Sequence, residues 1–472
     1  MSPEKSASES FRDSISTVDK QGKRVWIYPK KPSGKWTNYR SYLSYLLLVL
    51  LFSGPFLRIN GHPVLLVDIL NRKFVLLGQV FWPQDFFLFV IAMITMVVFI
   101  IVFTVAYGRL FCGWVCPQTI FMEMLFRKIE YAIEGDYKQQ MKLTRQSWDA
   151  EKVMKRGGKW VIFYLISFAI ANVFLAYLIG SERLIEIITD PPGQHFGGLT
   201  AIMVFSFVFF FVFAKLREQV CTTICPYGRL QGVMLDKKSI VITYDHVRGE
   251  GRGKWRNNED RKAAGKGDCI DCHQCVDVCP TGIDIRNGTQ LECVNCTACI
   301  DVCNHMMDSV NLKRGLIRYA SEEEISTGSR FIFSKRLVGY TALLSVLMTV
   351  LISMLVLRTD IETTILRAPG LTFQKTDDGR YRNILSYKII NKTRERLDLK
   401  IKPIDVKVEV ENIGSSVSVE PESSAEGMFF LIMERKNMTG ISTKMELGLY
   451  DQKDELVETV KVNFLGPGGS NK

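Results

Sequence analysis

The sequence predicts a multi-domain membrane protein with five transmembrane α-helices, a cysteine-rich soluble insert and an all-β C-terminal module. Three observations lead to this. Apolar residues make up 47% of the 472 and gather into a few long runs separated by strongly charged segments. All twelve cysteines lie between Cys112 and Cys303, in short regular spacings. Residues 359–472 alternate apolar and polar positions over short runs broken by Gly, Asn, Pro and Ser. A chain of this length exceeds one hydrophobic core.

Residues 1–38 are polar and basic and lack the apolar centre of a signal peptide, so they read as a cytosolic tail. A bilayer core takes about 20 apolar helical residues, and the runs 39–57, 86–107, 160–179, 199–215 and 337–357 fit that length. The stretch 63–82 is interrupted by Asp68, Arg72 and Lys73 and reads as an external hairpin. Lys and Arg crowd residues 1–40 and 109–159, whereas the loop after the third run carries only Arg183. This asymmetry places the N-terminus inside, residues 216–335 inside and residues 358–472 outside. The cysteines agree, since all fall on the reducing side or at its edge. The net charge of +11 flanks the apolar runs and comes with no nucleic-acid motif, so it reads as topology rather than nucleic-acid binding. The domains expected are a membrane domain over 39–225, a cytosolic region over 226–335, a fifth helix over 336–358 and an external domain over 359–472. The runs 383–390, 405–411, 427–434 and 444–450 suggest an immunoglobulin-like sandwich in that last domain. It has no His or Cys and no catalytic constellation.

The insert carries Cys269-x2-Cys272-x2-Cys275-x3-Cys279-Pro280 and then Cys293-x2-Cys296-x2-Cys299-x3-Cys303. Three closely spaced thiolates wrap one cubane and the fourth is directed at a second, as in two-cluster ferredoxins. The expected ligand sets are Cys269, Cys272, Cys275 and Cys303 for one [4Fe-4S] cluster, and Cys293, Cys296, Cys299 and Cys279 for the other. Zinc knuckles need only two CxxC units and give no reason for the crossed ligand. Asn304 stands where the second motif would carry proline. His305, Met306 and Met307 read as packing near a cluster rather than as copper ligands. His273 completes a haem-attachment pattern that the cluster spacing overrides. The ferredoxin domain is expected over about 266–315, after a loose Gly- and Lys-rich loop over 249–267.

Two further pairs lie where runs two and four end: Cys112-x3-Cys116-Pro117 and Cys221-x3-Cys225-Pro226. Residues four apart on a helix share a face, and proline ends the segment. The recurrence reads as an internal repeat that could bring four thiols together at the membrane edge. A soft metal such as Cu(I), a redox dithiol and a further iron–sulfur centre all fit that pattern, as do inert buried cysteines.

The ordered combination resembles the cytochrome c oxidase accessory proteins called CcoG, RdxA or FixG, over essentially the whole chain after residue 20. The C-x3-C-P and ferredoxin half is also similar to NapH- and NosR-type membrane ferredoxins. The fifth span and the β domain favour the former family. The resemblance implies a bacterial cytoplasmic-membrane protein with a periplasmic β domain, acting in assembly of the cbb(3)-type oxidase. It implies reduction of Cu(II) to Cu(I) in partnership with a copper-transporting P-type ATPase, with Cys112, Cys116, Cys221 and Cys225 as candidates to contact copper. A cytosolic electron donor is required and is not identified, and homodimerisation is left open. A quinol-linked conduit of NapH type and a non-catalytic assembly scaffold are the competing readings.

Overall fold

Where the chain must bury its backbone in an apolar setting it forms helix, because each N–H then finds its own carbonyl. In chain order these helices are α1 (Lys35–Ser53), α2 (Phe86–Tyr107), α3 (Ala150–Ile179) and α4 (Phe196–Phe211), which continues through a π-helical turn, Val212–Leu216. The structure is a computed structural model and describes residues 17–19, 21–59, 61–68, 73–76, 78–81, 85–256, 259–328, 335–359, 361–368, 372–393, 395–404, 408–412, 417–421 and 423–467. It divides into two units, Met1–Leu351 and Ile352–Lys472.

Four described helices are long and apolar enough to cross a membrane: Phe86–Tyr107, Ala150–Ile179, Phe196–Leu216 and Lys335–Val356. The first expected span is not among them. Its helix starts earlier than the apolar run, and its first turns are committed to soluble residues. The Trp36 and Thr37 backbone N–H groups donate to the Asp301 carboxylate at 3.1 and 2.8 Å, which caps the helix from 264 residues away. Arg40 Nε donates to the Gly113 carbonyl at 2.6 Å. The other end of α1 lies beside the far end of α3, where the Tyr177 hydroxyl donates to the Leu51 carbonyl at 2.9 Å. The expected hairpin at 63–82 is an antiparallel meander of β3 (Leu65–Asp68), β4 (Lys73–Leu76) and β5 (Gln79–Phe81), preceded by a short hairpin of β1 (Arg58–Ile59) and β2 (His62–Pro63). Arg72 lies outside the described residues.

The soluble insert is closed by an antiparallel pair, β6 (Val241–Tyr244) and β7 (Ile317–Ala320), which brackets helix α5 (Ala298–Ser309). Asn304 lies inside α5, where proline would break the helix, and its Oδ1 accepts from Gly315 N at 2.9 Å. The loop expected to be loose is tied down by Arg261, whose guanidinium donates to the carbonyls of Gly253, Gly267 and Cys269. After this insert, α6 (Lys335–Val356) returns to apolar sequence.

A buried ionic network joins the helix ends. Arg217 forks onto Glu130 at 2.9 and 2.8 Å. Lys159 of α3 reaches Glu130 and Glu134 at 3.1 and 2.6 Å. Glu218 meets Arg24 at 3.1 Å, Arg127 at 3.6 Å and Arg217 at 3.6 Å, and Arg127 also pairs with Glu123 at 3.1 Å. Four carboxylates thus face four cations, so the network is neutral although little water reaches it.

The second unit is a two-sheet sandwich. One sheet orders β12 (Val408–Asn412), β14 (Ser424–Met433), β10 (Tyr381–Asn391) and β8 (Ile361–Arg367), with β9 (Gln374–Lys375) on β10. The other orders β13 (Val417–Val419), β11 (Leu397–Pro403), β15 (Ser442–Tyr450) and β16 (Leu456–Leu465). Alternate residues fill the space between, including Leu385, Ile389, Leu399, Phe429, Leu431, Leu447, Leu449 and Phe464. The buried Asn383 amide bonds the Leu465 backbone in both directions at 2.8 Å, stitching β10 to β16. Of the expected run 405–411, residues 405–407 lie outside the described residues and the rest is β12.

Burial alone would raise the Glu130 carboxyl, but the Arg217 and Lys159 charges outweigh it and hold the group down to about 2. A carboxylate depressed in the fold adds stability above its unfolded value, near 4.5, and loses it as pH falls towards the folded value. Thermal unfolding of the detergent-solubilised protein is therefore expected to weaken between those limits. Glu130→Gln should cost about 3–5 kcal/mol at neutral pH, as for one partner removed from a buried pair, and should flatten that acid limb.

Candidate iron–sulfur and thiol centre

The two C-x3-C-P segments share one backbone plan. Gly108 and Arg217, each four residues before the first cysteine, take φ 58°, ψ −135° and φ 55°, ψ −124°. Such angles suit glycine; the non-glycine Arg217 is held there by its fork onto Glu130. A helical turn follows in each, Leu110–Trp114 and the π-helical Val220–Ile224. The second cysteine then donates its backbone N–H five residues back, Cys116 to Phe111 at 3.0 Å and Cys225 to Val220 at 2.7 Å. Cys116 and Cys225 are extended, with ψ 123° and 112°, because a residue before proline avoids the helical region. Each caps the next helix, whose first residue is proline. The helical turn ends at Trp114 and Ile224, before the second cysteine of each pair, and the proline after that cysteine starts the next helix.

The eight ferredoxin cysteines fall into two cavities. One, with an empty volume of about 370 Å³, is lined by Cys269, Cys272, Cys275 and Cys303, with Tyr244, His273, Arg286, Met306 and Met307. The other, about 340 Å³, is lined by Cys279, Cys293, Cys296 and Cys299. Cys275 borders both, so the cavities adjoin. Burial pushes the free thiols of Cys275, Cys293 and Cys303 up to about 12 and Cys296 to about 11. Such groups stay protonated unless a bound cation compensates the thiolate. The Tyr244 hydroxyl is buried and lies against Cys269 in the first cavity. Two sets of four thiols around adjoining cavities, with a buried hydroxyl beside one sulfur, suit thiolate-ligated clusters. Cys272 is the exposed member. His305 is exposed and Met307 buried, so the His-Met-Met run does not converge on one site.

The first C-x3-C-P loop is pressed onto the second cavity. Cys112 packs in one apolar cluster with Val294, Cys296 and Ala298, and Cys299 lies against it. A Cβ on Gly113 would stand 2.3 Å from the Val294 carbonyl and 2.8 Å from that of Asn295. Cys112 Sγ donates to Gln231 Oε1 at 3.1 Å, and Arg109 Nε donates to the same oxygen at 3.2 Å. Burial raises the Cys112 thiol against the opposing charge of Arg109, and Cys116 and Cys225 both act on it. Burial pushes Cys221 up to about 12, with Cys116 and Cys112 adding to the effect. The four membrane-edge thiols are thus electrostatic neighbours. Arg40, Arg109 and Asp301 were not singled out from sequence, because their partners lie far away in the chain.

Three family models match: a 4Fe-4S binding domain over residues 89–133, a 4Fe-4S dicluster domain over 216–322 and the IG-like fold at the C-terminal of FixG over 351–467. Protein RdxB of Cereibacter sphaeroides is 36% identical over 395 residues, covering 80% of this chain and 82% of its own. The chain belongs to the RdxA, RdxB and FixG family. RdxA of the same organism is 33% identical over 386 residues, covering 79% of this chain and 81% of its own. The nitrogen fixation protein FixG of Rhizobium meliloti is 35% identical over 309 residues, covering 63% and 58%. A crystal structure of a FixG-related protein from Vibrio parahaemolyticus aligns to 23% of this chain and 97% of its own, at 19% identity and a TM-score of 0.20. Membership makes the chain an iron–sulfur electron-transfer protein with apolar membrane helices and a C-terminal immunoglobulin-like region.

Gly113→Ala is expected to part the two loops. The strain should cost about 1–3 kcal/mol, seen as a lower unfolding temperature and faster iron loss to a chelator at unchanged starting iron content.

Proposed function

We propose that this family member reduces Cu(II) to Cu(I) at its membrane-edge thiols and supplies the product for assembly of a cbb(3)-type oxidase. The packing of Cys112 against Cys296 and Cys299 carries this reading, since it sets a thiol of the first C-x3-C-P pair beside the second cavity. Cys269, Cys272, Cys275 and Cys303 would hold one [4Fe-4S] cluster, and Cys279, Cys293, Cys296 and Cys299 the other. Bound there, the clusters supply one-electron chemistry over a wide range of potentials. The exposed Cys272 edge offers entry to a soluble reductant, Cys275 joins the two cavities, and Cys112 lies at the exit. Cys112, Cys116, Cys221 and Cys225 favour the soft Cu(I) product over Cu(II), which prefers nitrogen and oxygen. Each ion gains one electron from the reductant, and no proton need move.

The same reading places the ferredoxin unit in the cytosol and the β unit in the periplasm, with α1 as the fifth crossing. α1 begins at Asp301 on the ferredoxin side and ends beside the far end of α3. A copper-transporting ATPase is the partner that would consume Cu(I).

One observation favours the quinol-conduit alternative. An open cavity of about 1140 Å³ at the ends of α3 and α4 is lined by Trp26, Tyr28, Trp160 and Phe210 together with Glu130 and Glu134.

Protein purified without oxygen, reduced and then given Cu(II), is expected to form Cu(I) in step with loss of reduced-cluster absorbance. A Cu(I)-specific chelator follows the product. Replacing Cys112, Cys116, Cys221 and Cys225 by serine should abolish the reaction with iron content intact. Clusters that copper never oxidises, but quinol reduces, would replace this reading with the conduit. Full oxidase assembly by a variant that passes no electrons would favour a scaffold.

A further inference from the structure

Two buried cations stand at the junction of the second cavity and the first C-x3-C-P loop without a carboxylate. Arg40 is 4% exposed; its Nε is taken by the Gly113 carbonyl, and its Nη2 has no partner. Arg109 is 3% exposed and donates only to the neutral oxygens of Gln231 and Leu291. Among the described residues neither makes an ion pair. The first cavity differs: its guanidinium, Arg286, is paired with Asp284 and Asp271, each at 2.6 Å.

An uncompensated buried charge is costly, so the fold must place negative charge near it. Arg40 acts on Cys296, and Arg109 acts on Cys293, Cys112 and Cys221. Glu123 also bears on Cys296, but it is already paired with Arg127. The thiolates are therefore the groups left to answer the two cations. A cluster gains one negative charge on reduction, and an adjacent fixed cation favours that state.

Resting on the assignment of clusters to these cavities, we propose that Arg40 and Arg109 are positioning residues that make the cluster of Cys279, Cys293, Cys296 and Cys299 the higher-potential one. An electron entering at the outer cavity then settles beside Cys112. One electron leaves the outer cluster, which goes from the 1+ to the 2+ core state. The inner cluster goes from 2+ to 1+, and no proton or ligand is exchanged. The Tyr244 hydroxyl stabilises the reduced outer cluster in the opposite sense, but one neutral hydrogen bond is weaker than two unpaired charges.

The test is a potentiometric titration of the full-length, iron-loaded protein in detergent, read by electron paramagnetic resonance. Cys272→Ser, at the exposed ligand of the outer cluster, assigns the two signals. In the unaltered protein the inner cluster should be reduced first. Arg40→Met and Arg109→Met should each lower its reduction equilibrium constant about tenfold, or about 59 mV for one electron, and move the outer cluster less than about twofold. Arg40→Lys and Arg109→Lys should keep most of the effect, which a purely structural role would not predict. The proposal is overturned if the outer cluster is reduced first, if the methionine variants shift both clusters alike, or if lysine and methionine act the same. Should a methionine variant fail to load iron, the order in the unaltered protein and the lysine variants still decide. Because the readout is potential rather than copper, a protein that reduces no copper would overturn the proposed function and leave this bias intact.

Discussion

The rest of the membrane edge depends on the buried neutrality of one charge network. Arg24, Glu123, Arg127, Glu130, Glu134, Lys159, Arg217 and Glu218 come from the N-terminal segment, the helix after the first thiol pair, α3 and the end of α4. No two of these pieces are held together by apolar contact alone where lipid gives way to water. Opposite charges with a fixed pairing add to the packing of Phe126 against Phe163 and Phe213, with a specificity that Leu against lipid lacks. The positive φ of Arg217 is the local cost of this arrangement and its forked bond to Glu130 the compensation. That turn fixes where the second thiol pair begins.

The internal repeat is similar in backbone and opposite in charge. Arg109 and Glu218 occupy equivalent places, one residue after the strained turn. Arg109 is directed at thiols and cluster loop, whereas Glu218 is directed at three arginines. Arg109 therefore faces the redox centre, while Glu218 at the equivalent place anchors the helix ends. A single backbone device was used twice for different ends, which is how a pseudo-symmetric scaffold acquires one functional face.

The sequence was most legible where chemistry is local. Cysteine spacing foretold which thiols would gather around each cavity, because a tight loop fixes their separation. The alternating runs at 383–390 and 444–450 fall inside β10 and β15, and 427–434 overruns β14 by one residue. β8, β11, β13 and β16 were not foreseen, since short strands on a curved sandwich carry weak periodicity. α1 starts four residues before the expected run, where its first N–H groups meet the Asp301 carboxylate of another motif. Each C-x3-C turn stops before its second cysteine because the proline that follows holds that cysteine extended. The loop at 249–267 looked loose by composition, yet one arginine side chain supplies the order that its own residues lack.

The Asp301 cap has a consequence for how the protein is made. Asp301 sits between Cys299 and Cys303, so it is placed only once the loop around the second cavity has closed. α1 leaves the ribosome before the insert does, and its cap is a residue translated 264 positions after Thr37. Its first turn stays open until that loop has formed. Closure of the insert thereby becomes the step that latches the start of α1.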